Sequence, residues 1–153
     1  EAFSKVIKSH PDCRLHLIGD GDLEEETARY ADLLGIREKV SFLGNQTNVY
    51  PFLQEADLFL LPSRFEGMPM TIIEAMGTGL PIVASAVGGV PDMLQDGTSG
   101  ILVSCDPDAV AKAILSLLDH EDLRKALGTN ALEDSMKFSA EHMARCYVDV
   151  YRN

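Results

Sequence analysis

The sequence has no tryptophan, only three cysteines, and 13 basic residues against 24 acidic ones. Each shortage removes a class of protein. Cys13, Cys105 and Cys146 are odd in number and far apart, with no Cys-x-x-Cys spacing, so neither a disulfide framework nor a zinc site is expected, and no metal is predicted. A net charge of -11 argues against nucleic acid as a partner, because no basic stripe is present to displace phosphate counterions. No apolar run approaches the roughly 20 residues of a membrane helix, and the first residues, EAFSKVIKSH, carry no signal-peptide core. A soluble chain in a reducing, cytoplasmic setting is expected. His10, His16, His120 and His142 have no nearby Ser or Cys in a motif context, so a catalytic triad is not supported. His16 reads as an ordinary packed strand residue.

What is present suffices for one packed domain: 153 residues, of which 46% are hydrophobic. Short apolar runs at 14–18, 40–43, 58–61, 81–84 and 100–103 read as strands. They alternate with helical patterns at 1–9, 23–34, 49–56, 69–79 and the short stretch after Gly88-Gly89-Val90-Pro91, and helices follow around 106–117, 121–136 and 140–151. Glycine punctuates the strand ends at Gly19-Asp20-Gly21, Gly44-Asn45 and Gly88-Gly89. This alternation predicts a three-layer Rossmann-like α/β domain with a mostly parallel sheet, in which ligands bind beyond the carboxyl ends of the strands.

The chain is organised around residues 62–79, PSRFEGMPMTIIEAMGTG, which run from a strand end through a turn into an apolar helix opened by Pro69. The helix N-terminus is a ready anion site. Glu74 is the polar exception among Ile72, Ile73, Ala75 and Met76. Since an unpaired buried carboxylate costs several kcal/mol, it is expected to face a polar ligand or a basic partner. On the residues alone, a structural ion pair for Glu74 and a solvated surface position for Glu66 both stay open. Asp20-Gly21-Asp22 imitates a metal-binding Asp-x-Asp motif, but is read as the turn and cap of the helix that follows.

The stretch PSRFEGMPMTIIEAMGTGLPIVAS resembles the core of the retaining glycosyltransferases of family 4, whose Glu-x7-Glu motif is matched by Glu66 and Glu74. EAFSKVIKSHPDCRLHLIGDGDLEEE, VSFLGN and VGGVPDMLQDGTSGILV resemble further family segments in the family's order, so the similarity covers nearly the whole chain. The resemblance implies the C-terminal half of a GT-B fold. It also implies a donor site in which Glu66 and the N–H groups of Gly67, Met68 and Met70 hold the sugar. Thr71 faces the diphosphate, Glu74 takes the ribose hydroxyls, and Gly19, Gly21, Gly44 and Asn45 meet the nucleotide. Gly88 and Gly89 fall where the family's chain lines the cleft.

The implied reaction transfers a hexosyl group from a UDP- or GDP-linked sugar to a glycan or lipid acceptor with retention, and with no cofactor. The family's phosphate-neutralising Arg and Lys, its N-terminal acceptor domain and the first strand of its donor domain would precede Glu1. The fragment is therefore expected to be inactive alone, and Arg64 is read as a surface or ion-paired residue. Losing that first strand, which in the family separates the strands at 14–18 and 58–61, is expected to leave two half-sheets that either close directly or pair with another chain. The apolar residues of the last helix, Met143, Cys146, Tyr147 and Val150, are expected to brace the absent domain, pack locally or support self-association. A nucleotide-binding module without catalysis, or another enzyme of the same architecture such as a sugar-nucleotide epimerase, remain the alternatives.

Overall fold

Glycine and proline set most of the element boundaries in the computed structural model, which describes residues 1–152. The chain divides into two compact units, Glu1–Pro51 and the part from Phe52 onward. In the first, α1 (Ala2–Val6) is followed by β1 (Leu15–Leu17), α2 (Glu24–Leu33), a single 3-10 turn at Arg37–Lys39 and β2 (Val40–Phe42), and α3 (Tyr50–Glu55) begins at its end. Glu24, Glu25 and Glu26 occupy the first turn of α2, where negative charge complements the helix dipole. Gly35, at φ 68°, ends that helix in the left-handed conformation that costs glycine least. β1 and β2 run parallel, with Leu15 opposite Val40 and Leu17 opposite Phe42. Phe3, Val6, Ala31, Ile36 and Val40 form the buried apolar part of this unit.

The second unit contains β3 (Phe59–Leu61), α4 (Met70–Gly77), β4 (Ile82–Ser85), α5 (Val90–Met93), β5 (Ile101–Val103), α6 (Pro107–Asp119), α7 (Glu121–Ser135) and α8 (Ala140–Arg152). Its sheet is parallel in the order β3-β4-β5. All four residues of the central strand β4 are buried, as a parallel strand covered on both faces requires. Val83 packs with Ala113, Leu117 and Leu127, and Leu58, Leu60, Ile101, Val103 and Leu123 surround them. Each large side chain buried there contributes about 1.5–3 kcal/mol.

Asp106 starts α6, its carboxylate accepting from the Asp108 and Ala109 N–H groups at 3.1 and 2.9 Å, with Pro107 in the first helical position. Arg124 donates to the carbonyls of Leu117 and Leu118 at 2.8 and 2.9 Å, which satisfies the end of α6. α4 and α7 approach so closely that a Cβ on Gly128 would stand 2.1 Å from the Gly79 carbonyl oxygen. Asn130 of α7 donates to the Thr98 carbonyl at 2.8 Å, and the buried Ser99 hydroxyl accepts from the Gln95 N–H at 3.0 Å, so polar bonds hold the 95–99 turn. These contacts fix the second unit's three layers.

Of four expectations, one is met and three are corrected. The expected half-sheets are present, one of two strands in the order β1-β2 and one of three in the order β3-β4-β5. His16 is exposed rather than packed, because alternation along β1 turns Leu15 and Leu17 to one face and His16 to the other. Asp22 does not cap α2: the residue before the helix is Leu23, itself exposed, and the turn is closed by the Glu24 N–H on the Gly21 carbonyl at 3.1 Å. Finally, α8 does not pack locally, since all its residues are exposed.

Candidate functional site

The helix α4 is built with one face for the core and one for solvent. Ile72, Ala75 and Met76 are fully buried, while Met70, Thr71, Glu74 and Gly77 form an exposed stripe at helical spacing. Pro69 precedes the helix in extended conformation, and no side chain caps the first turn. The N–H groups of Met70 and Thr71 therefore remain at an open, electropositive helix end. Thr71 and Glu74 lie one turn apart on the same exposed stripe. Among the described residues Glu74 takes part in no ion pair, so the structural pairing open from sequence does not form. Arg64 is likewise exposed and unpaired among the described residues, a surface position.

The loop from β3 to α4 carries Glu66, which is half-buried, followed by the exposed Gly67 and Met68. Its backbone is held at two places. The Cys105 thiol donates to the Pro62 carbonyl at 3.2 Å, and the Gly89 N–H donates to the Gly67 carbonyl at 2.9 Å. Gly88 and Gly89 lie directly against Glu66 and Gly67, main chain on main chain. Sequence reasoning placed these two glycines along a cleft and missed this contact; the paired glycine after a strand was its only signal. Phe65, Met68 and Met70 leave large apolar side chains exposed on the same segment, at 86%, 63% and 63%.

In the first unit, the sequence-predicted glycines at the ends of β1 and β2 meet. The Gly19 N–H donates to the Gly44 carbonyl at 2.8 Å, and both residues have positive φ, 128° and 62°. A Cβ on Gly19, Gly21 or Gly44 would find nothing within 4 Å, so the backbone on this edge is uncovered, and Asn45 is exposed beside it. Gly19, Gly21, Gly44 and Asn45 thus form one group, while Glu66, Gly67, Met68, Met70, Thr71 and Glu74 form another on the second unit.

Residues 1–120 match the family model described as glycosyl transferases group 1. The chain is 34% identical over 153 residues to N-acetyl-alpha-D-glucosaminyl L-malate synthase of Bacillus anthracis, covering 99% of this chain and 40% of that protein. Its fold is shared with HepE of Anabaena, solved in complex with UDP, at a TM-score of 0.91 and 23% identity over 99% of this chain and 43% of that one. The C-terminal domain of a group 1 family protein, LpcC of Francisella tularensis, superposes with a TM-score of 0.80 and 21% identity, over 91% of this chain and 76% of that one. The chain spans about two fifths of the length of the curated relatives it matches first. No helix among the described residues is long and apolar enough to cross a membrane.

Proposed function

The chain belongs to the group 1 glycosyltransferases, and from that premise we propose that it is the donor-holding part of a retaining enzyme that moves a hexosyl group from a nucleotide diphosphate sugar to a glycan or lipid acceptor. The observation that carries this reading is the α4 N-terminus: an uncapped helix end with Thr71 and an unpaired, exposed Glu74 on one stripe. Backbone N–H groups there suit a diphosphate, and a carboxylate one turn on suits a vicinal diol. Thr71 faces the diphosphate and Glu74 accepts from the ribose hydroxyls. Glu66, with the N–H groups of Gly67, Met68 and Met70, holds the sugar, and in the first unit Gly19, Gly21, Gly44 and Asn45 are assigned to the nucleotide. That HepE was solved with UDP supports a nucleotide ligand for this fold.

Departure of the nucleotide diphosphate requires its growing charge to be neutralised. With 24 acidic residues against 13 basic ones, this chain opposes an anion globally, so the helix end and basic groups of the full-length protein must outweigh that field. The nucleotide sugar is read as substrate, with no cofactor. Three free cysteines accord with a cytoplasmic setting. The apolar side of α8, with Met143, Tyr147 and Val150 exposed at 55%, 60% and 73%, is read as a surface for the N-terminal acceptor domain.

Calorimetry of the full-length protein with uridine- and guanosine-diphosphate sugars tests the reading. Glu74→Ala is expected to weaken the preferred donor by about tenfold to a hundredfold, the scale of a charge-assisted hydrogen bond. Equal binding by wild type and variant would remove the ribose assignment.

A further inference from the structure

We propose that Gly88 and Gly89 are positioning residues, a main-chain buttress that sets where Glu66 stands and so controls recognition of the sugar half of the donor separately from its nucleotide half. This inference rests on the donor reading above. A Cβ on Gly88 would lie 1.7 Å from the Glu66 carbonyl oxygen and 2.8 Å from its carbonyl carbon. A Cβ on Gly89 would lie 2.5 Å from the Gly67 carbonyl oxygen. All three distances are far inside van der Waals contact, and the atoms met are backbone, which cannot rotate away as a side chain can. The Gly89 N–H bond to Gly67 at 2.9 Å then fixes the register of the two loops.

The two glycines are themselves firmly seated. Val90, the first residue of α5, is buried, Asp92 donates to the Gly89 carbonyl at 3.1 Å, and Gly88 follows the fully buried strand β4 by way of Ala86 and Val87. Any side chain at 88 would therefore push the exposed loop and not the strand. Glu66 would move with that loop, whereas Thr71 and Glu74 would not, because α4 is anchored through Ile72, Ala75 and Met76. The predicted effect is consequently selective: the sugar contact is lost and the diphosphate and ribose contacts remain.

Gly88→Ala and Gly89→Ala in the full-length protein test this. Gly97→Ala is the control, because Gly97 shares a positive φ with Gly88, 69° against 53°, yet its Cβ would meet nothing within 4 Å. Gly89→Ala adds the collision without a positive φ, so it answers should Gly88→Ala fold poorly. Binding of UDP-glucose and GDP-mannose is compared with binding of UDP and GDP, and hydrogen exchange is followed over residues 62–70. Both buttress variants should speed exchange in that segment by about tenfold and weaken the sugar nucleotide by about tenfold or more relative to the bare nucleotide; Gly97→Ala should do neither. Unchanged exchange in the buttress variants overturns the proposal. So does unchanged sugar discrimination in them while Glu66→Gln abolishes it. If Glu66→Gln leaves discrimination intact, the sugar assignment of Glu66 falls, and the buttress is then judged on the exchange result alone.

Discussion

Glycines follow strands in both units, yet they do opposite things. At Gly19, Gly21 and Gly44 a Cβ would point into open space. At Gly88 and Gly89 it would run into the main chain of Glu66 and Gly67, and within helix α7 a Cβ on Gly128 would likewise meet the main chain of Gly79. In the first unit, glycine leaves backbone uncovered, and at Gly19 and Gly44 it also supplies a conformation that other residues adopt at a cost. In the second, glycine lets two segments approach until their backbones touch. Composition treats these positions alike; only the neighbours distinguish a loop kept open from a loop held in place.

The comparison is broken most directly at Gly128. In the middle of an ordinary helix, Gly→Ala gains about 1 kcal/mol through backbone entropy. Here the collision at 2.1 Å should reverse the sign, and Gly128→Ala should destabilise the fold by about 2–3 kcal/mol, the range for overpacking. Thermal denaturation reads this as a lower Tm; a higher one would mean that α4 and α7 separate at little cost. Gly44→Ala is the counterpart on the open side. It should cost about 1 kcal/mol from the left-handed backbone alone, and a much larger loss in the same measurement would show that the open loop is packed after all.

The smallest effect is electrostatic. Asp134 sits below its ordinary value of 3.8, first because Lys137 hydrogen-bonds its carboxylate at 2.5 Å and then because the Ser99 hydroxyl does so too. A carboxyl lowered on folding contributes stability that is complete above about pH 4 and lost as pH falls through the lowered value. Asp134→Asn should therefore reduce Tm slightly at neutral pH and not at all at the acid extreme. An equal reduction throughout would assign the loss to packing. Lys137, the exposed partner of the pair, is screened by solvent, which keeps this effect small.

The order and type of the elements were legible because glycine and proline mark their ends: Gly35 and Gly79 stand at positive φ where the helices read at 23–34 and 69–79 stop. The exposure of Glu74 was legible too, since it interrupts an apolar helix whose buried face follows from the spacing of Ile72, Ala75 and Met76. Three features were not. Contact between Gly88 and Glu66 depends on where two loops meet, which no local pattern encodes. Exposure of His16 depends on which face of a two-stranded sheet is covered. Leu23, not Asp22, precedes α2 because Gly21 closes the turn through its own carbonyl, leaving the aspartate without a capping role.

The meeting of α4 and α7 has a genetic consequence. Both partners at that crossing, Gly79 and Gly128, already carry the smallest side chain there is, and the atom struck by a new Cβ belongs to the main chain. A damaging change at 128 thus has no compensating substitution at 79. Suppressors of Gly128→Ala should arise as insertions or deletions that re-route the 77–81 turn, or as distant stabilising changes, and the crossing itself should resist gradual drift in sequence.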